Sequence, residues 1–179
     1  FVPVDAAELI QAPGRIAVLV AEGGKLDPAA RRLDRAMRGA LSRFIGSEAF
    51  EKLKSGDPTT LSWPVGLAAE AVQVIRLDRK ADTATARKAG AAVGKMLGKS
   101  GATVLAGAHP RAADVAMGLA LRAYDFSVHK TSAGREMGGV SVMVSSPEKV
   151  AAAAAPMAAV AEGVFFTRDL VNEPANVLT

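Results

Sequence analysis

Short runs that are apolar on both faces alternate along this chain with longer stretches in which apolar positions return every three or four residues. Residues 15–20, Arg-Ile-Ala-Val-Leu-Val, form the first such run, the pattern of a strand covered by helices on both sides. Asp27 then precedes Pro28, an N-cap acceptor before a proline at the first helical position, which predicts a helix over 28–44 that stops at Gly46. Its core stripe is Leu33, Met37, Ala40, Leu41 and Phe44. A helix-like piece at 47–54 leads to the turn Gly56-Asp57-Pro58, and residues 59–63 and 70–77 read as two strands able to pair as a hairpin. A second long helix starts at Asp82 or Thr83, places Ala86, Ala89, Gly90, Val93 and Leu97 on one face, and closes at Gly98 and Gly101. A strand at 102–106, a helix at 111–124 and a strand at 139–144 follow. The last helix begins near Pro147 or Pro156 and ends near Val171, because Pro174 biases its predecessor toward extended backbone. The alternation predicts an α/β domain of three layers, with helices on both faces of a mixed or mostly parallel sheet.

Composition narrows the chemistry. With 179 residues and 50% hydrophobic positions, the chain is long enough for one domain that stands without disulfides or a structural metal. The absence of cysteine excludes a thiol nucleophile or a zinc knuckle. The longest uninterrupted apolar stretch, near 151–157, falls short of the roughly 18 residues that cross a bilayer, so the expectation is a soluble, cytoplasmic protein with no membrane contact. Alanine stands at 37 positions and favours helices packed through small faces, and the run 151–155 reads as one such close-packed turn. The net charge of +4 permits nucleic-acid contact without requiring it.

No assembled catalytic constellation is visible. Residues 94–100, Gly-Lys-Met-Leu-Gly-Lys-Ser, approach a phosphate-binding loop, but Val93 sits where the motif needs glycine and the segment ends a helix instead of starting one. The two histidines, His109 and His129, have no metal-ligand spacing; His109 stands between a strand and a helix, where open α/β sheets present ligands. Arg31, Arg35 and Arg38 recur at helical spacing opposite the core stripe, widened by Arg32 and Arg43. A solvated helix face explains them, and a nucleic-acid or anion-binding face is the functional alternative.

The C-terminal stretch points elsewhere. Residues 161–179, AEGVFFTRDLVNEPANVLT, resemble the segment that joins the two domains of leucyl aminopeptidases, the cytosol aminopeptidase family of two-metal exopeptidases. Upstream, residues 118–126, GLALRAYDF, with Lys130 resemble that family's helix ending in Tyr-x-Phe followed by a basic residue. The linker motif comprises Arg168, Asp169, Asn172, Pro174 and Asn176.

The resemblance implies an N-terminal domain at 1–166 with a macro-domain-like fold and a linker at 167–179 that leads to a C-terminal catalytic domain. The chain starts at Phe1 without Met and stops at Thr179 as that domain would begin, so both ends read as fragment boundaries. It further implies that the parent enzyme hydrolyses N-terminal residues from peptides with two divalent metals, manganese or zinc, and assembles as a hexamer. The chain itself is then a non-catalytic assembly or regulatory domain that carries no catalytic residue and no metal. An apolar patch around Phe165 and Phe166 is expected once the catalytic half is missing. Two other readings stay open: a nucleic-acid-binding module on the arginine face, and an ADP-ribose binder whose loop is Glu22-Gly23-Gly24.

Overall fold

The computed structural model describes residues 1–127, 129, 134 and 136–174. Six strands form one sheet: β1 (Val2–Pro3), β2 (Arg15–Val20), β3 (Pro58–Ser62), β4 (Ala71–Arg76), β5 (Ala102–Gly107) and β6 (Val140–Val144). Their order across the sheet is β1-β6-β5-β2-β4-β3, parallel throughout except that β3 runs antiparallel beside β4. The seven helices are α1 (Ala6–Gln11), α2 (Pro28–Ala36), α3 (Ala40–Ile45), α4 (Glu48–Glu51), α5 (Thr83–Met96), α6 (Ala112–Ala123) and α7 (Pro147–Asn172).

The two-residue period of a strand sorts the core into two halves. Ile16, Val18, Val20, Val72 and Val74 face the layer of α1 to α4, meeting Leu9, Leu33, Met37, Leu41 and Phe50. Ala17, Ile75, Val104, Val142 and Val144 face the opposite layer, meeting Ala86, Ala89, Val93, Val115 and Leu119. The three-layer α/β arrangement expected from the alternation is therefore the one observed.

Two local expectations need correction. The predicted helix at 28–44 is two helices, because Arg38 (φ 53) and Gly39 (φ 77) both take left-handed backbone. Gly39 N–H donates to the carbonyl of Asp34 at 2.8 Å, a helix-ending bond, and the Asp34 carboxylate accepts from Ser42 N–H at 3.0 Å to start α3. Residues 1–14 carried no expectation; there Asp5 accepts from the amides of Ala7 and Glu8, and the Asp5…Glu8 spacing is the cap signal that marks α1.

The second correction concerns α7. It is 26 residues long, with Pro156 inside it, and an 18-residue window of mean hydropathy 1.6 that is only 6% buried. By length and composition it is apolar enough to cross a membrane, which a count of uninterrupted apolar residues missed. The run 151–155 is helical as expected but faces solvent and is not close-packed, with Ala154 alone partly covered.

The second layer is held by backbone contact between α5 and α6. A methyl group on Gly90 would lie 1.8 Å from the carbonyl oxygen of Val115, and one on Gly118 would lie 2.0 Å from that of Arg87. Neither atom can yield without moving a helix. We expect Gly90→Ala to lower stability in urea by about 2 kcal/mol, although helix propensity alone favours alanine by about 1 kcal/mol. Gly98→Ala, where an added carbon meets nothing within 4 Å, should change it by under about 0.5 kcal/mol.

Candidate functional site

Three of the five residues singled out in the linker motif, Arg168, Asp169 and Asn172, meet one side chain. Phe165, Arg168, Asp169 and Asn172 stand three and four positions apart, so they share a face near the end of α7. That face meets Tyr124, the C-cap residue of α6. The Tyr124 hydroxyl donates to Asp169 Oδ1 at 2.7 Å and accepts from Asn172 Nδ2 at 3.2 Å. Phe165 stacks on the phenol ring with centroids 5.5 Å apart, and the Arg168 guanidinium carbon sits 5.2 Å from its centroid. Arg168 Nη1 also donates to the carbonyl of Leu121 at 2.9 Å, one of the orphan acceptors at the end of α6. Loss of hydration around the ring, and the Asp169 carboxylate that takes its proton donor, hold the phenol above its ordinary pKa.

Glu173, extended at φ −68 and ψ 139, ends α7 ahead of Pro174, as that proline requires. Its carboxylate sits 2.6 Å from His129 Nε2, a second tie between the segment after α6 and the end of α7. Asn176 and Lys130 lie outside the described residues.

The expected apolar patch is present in part. Phe165 is half-buried by Tyr124, whereas Phe166 is 65% exposed, in company with Val160, Leu170 and Val171. Along the whole of α7 only Ala161 is buried. Sequence reading noted Tyr124 only within the Tyr-x-Phe resemblance and missed its role as the partner of α7.

The other candidates stand apart from one another. His109 is buried at the β5–α6 turn, where its Nδ1 accepts from Arg111 N–H at 3.2 Å. Its Nε2 then carries the proton, donated to the carbonyl of Asp78 at 3.3 Å. Both ring nitrogens are used, so His109 is a neutral staple between two turns and not a free base. Burial holds its pKa below the ordinary value, helped by the nearby Arg79.

The sheet carries a switch point at β2, because α2 follows it on one face while α5 and α6 follow β4 and β5 on the other. A cavity of about 430 Å³ opens near this edge, lined by Glu22, Gly23, Gly24, Ile45, Phe50, Glu51 and Arg76. Arg76 is already paired with Glu22 at 2.9 Å and donates to the carbonyls of Glu51 and Leu53. The carboxylates of Glu22 and Glu51 leave an anion poorly received there, which removes the electrostatic basis for a pyrophosphate at Gly23 and Gly24. Arg31 and Arg35 remain exposed neighbours on α2 with Arg32 and Asp34, while Arg38 leaves the helix in left-handed backbone. Among the described residues no group of three or more His, Cys, Asp or Glu side chains gathers to hold a metal ion.

The fold is a layered α/β domain whose last described helix, α7, is tied to Tyr124 by a polar cluster and is otherwise largely exposed. The N-terminal-domain profile of the cytosol aminopeptidase family matches residues 17–133, and the chain belongs to that family as its N-terminal module. It is 57% identical over 98% of its length to a probable cytosol aminopeptidase of Cereibacter sphaeroides, and 48% identical over 100% to one of Dinoroseobacter shibae. The chain spans 36% and 37% of those two proteins. In fold it is similar to a mutant of tomato leucine aminopeptidase, with a TM-score of 0.70 at 20% identity over 98% of this chain and 38% of that one. The bottromycin maturation enzyme BotP matches at TM-score 0.61 and 24% identity, over 92% and 34% of the two chains.

Two outcomes test the geometry. Tyr124→Phe keeps the stack but loses both hydrogen bonds, so amide exchange over the last turn of α7 should become several-fold faster while β2 and β4 keep their protection. For His109, the folded pKa lies below the unfolded value of about 6.5, so the unfolded chain binds more protons in the interval between them. Its stabilising contribution is complete above that upper value and is lost as pH falls through the folded pKa. Thermal melts from pH 7.5 to 5 should show His109→Gln less stable than the parent at high pH and the difference shrinking in acid.

Proposed function

We propose that this chain is the assembly and docking domain of a two-metal leucyl aminopeptidase that removes N-terminal residues from peptides. The observation that carries the reading is the 57% identity, across nearly the whole chain, to a probable cytosol aminopeptidase almost three times as long. In this reading residues 1–166 form a macro-domain-like unit, and 167–179 lead from it to the catalytic domain, with α7 continuing through the boundary. The two metals, manganese or zinc, and the carboxylates that hold them belong to that catalytic domain, in keeping with the scattered acids and histidines here. The complete protein assembles as a cytoplasmic homohexamer.

The exposed face of α7 is the surface on which the catalytic domain sits. Val160, Phe166, Leu170 and Val171 are large apolar groups on a helix whose polar end is pinned to Tyr124, so the face is both adhesive and fixed in direction. Seating a domain there removes apolar area from water and explains why so long an apolar helix carries so little cover of its own.

The test is turnover of a leucine chromogenic substrate with added manganese or zinc. The longer protein, continued past Thr179 into a catalytic domain, should be active, and the 179-residue chain inactive under the same conditions. Turnover by the short chain would overturn the assignment. In the longer protein, Phe166→Asp should reduce the hexamer fraction in sedimentation and the activity with it.

A further inference from the structure

The hydrogen bonds that β3 makes to β4 fix which of its backbone groups are left over. In an antiparallel pair every second residue exchanges its backbone bonds with the neighbouring strand, and the residues between turn theirs outward. Trp63 N–H donates to the carbonyl of Glu70 at 2.8 Å, and Arg76 N–H donates to that of Asp57 at 3.2 Å. With Thr59↔Val74 and Leu61↔Val72 in register between them, Asp57, Thr59, Leu61 and Trp63 turn their backbone groups to β4. Pro58, Thr60 and Ser62 therefore turn theirs away from the sheet, and all three residues are exposed. Among the described residues no strand lies beyond β3.

The sequence brackets this open edge. Pro58 has no N–H to offer, and neither has Pro64 just past the strand, so Thr60 and Ser62 are the two residues with both an outward donor and an outward acceptor. Residues 58–64 carry no charge, the usual guard of an exposed edge. Run antiparallel about a two-fold axis at Leu61, Thr60 of each copy meets Ser62 of the other, and the four outward N–H groups reach the four outward carbonyls. The prolines then face each other, and the ladder stops at both ends.

The side chains select this register. Leu61, half-buried on the side of α1 to α4, meets Leu61 of the copy. Thr60, which lies opposite the buried Gln73 of β4 and on the α5 side, stands beside the Ser62 hydroxyl of the copy. Trp63, 77% exposed and in left-handed backbone at φ 49, falls beside the β-branched Thr59 of the copy. With the axis moved to Thr60, Leu61 would meet Thr59, and Trp63 would meet Asp57. We propose that β3 pairs with β3 of a second copy in the Leu61-centred register, joining two six-stranded sheets into one. Covering two indoles and two strands removes on the order of 1,000 Å² from water, the lower limit of a specific interface, so the dissociation constant should be about 10 µM. The contact lies within residues 58–64 and needs no catalytic domain, so it stands or falls apart from the assignment above.

The experiment is sedimentation of the 179-residue chain between about 1 and about 200 µM, a range that spans the expected constant. Thr60→Pro removes an outward N–H and none that faces β4, so the dimer should weaken at least tenfold while the melting temperature of the dilute chain stays within a few degrees. Ser62→Lys, which guards the edge with charge, should weaken it by a similar factor and serves if proline unfolds the strand. Phe166→Asp, on α7, should leave the dimer as in the parent. Because the chain has no cysteine, Leu61→Cys and Thr59→Cys each supply a single thiol. Directly opposed residues of a non-hydrogen-bonded pair lie about 4.5 Å apart at Cα, within disulfide reach. Mild oxidation should therefore link Leu61→Cys chains at least tenfold faster than Thr59→Cys chains, a register readout that a dimer formed elsewhere does not give. A parent that stays monomeric, edge variants with the parent's constant, loss of the dimer in Phe166→Asp, or equal linking at 59 and 61 would overturn the proposal.

Discussion

Contact between the backbones of α5 and α6 sets the geometry of everything on the second face of the sheet. Glycine at 90, 94 and 118 lets the two helices approach until carbonyl oxygens occupy the space where side chains would stand. At that separation Ala86, Ala89 and Val93 reach the strand residues Ala17, Ile75 and Val104 in one cluster with Val115 and Leu119. The end of α6 is thereby held over the sheet edge, and it is the end of α6 that carries both Tyr124 and Arg122. A larger residue at any of the three glycines displaces the junction with α7, because Tyr124 is mounted at the end of α6.

The sheet edge that looks suited to a ligand has its charges committed to internal structure. Near the C-terminal end of β2, Asp78 accepts from Glu22 N–H at 2.6 Å and, through its carbonyl, from His109, so the turns there bind one another. The one cation lining the neighbouring cavity, Arg76, is already engaged by Glu22 and two carbonyls. The α/β topology offers a crevice at that edge, but the side chains have turned it into internal structure.

The layered fold was legible because its signals are local. Apolar runs marked β2, β4 and β5, Asp27 and Asp82 marked helix starts, and both aspartates do accept from the amide three residues on. The break between α2 and α3 was not legible, because Leu33, Met37, Leu41 and Phe44 keep one helical stripe across it. Arg38 in left-handed backbone is imposed by the Asp34 bonds, not by its own preference. The junction was half legible: Arg168, Asp169 and Asn172 stood out as a motif, yet their common partner lies 44 to 48 positions away and only tertiary structure joins them. Gln73 had no signal at all, since a single polar residue in a strand reads as an exposed position until burial is known.

On the proposed reading, in which α7 receives the catalytic domain, α7 has to be a helix before anything covers it, and its composition follows from that. A segment with one buried residue gains almost nothing from its own domain, so its helicity has to come from intrinsic propensity, and alanine supplies that best. Alanine also exposes little apolar area per residue while the helix waits for a partner, and it allows that partner's backbone to come close. The larger apolar groups, Val160, Phe166, Leu170 and Val171, are held back to the second half of the helix, next to the anchor at Tyr124. There the clamp on Asp169 and Asn172 fixes their direction, so the ordering cost of the docking surface is met within this domain and association does not have to meet it again. A flexible tether would leave that cost to the encounter, and a fully buried helix would leave nothing to dock.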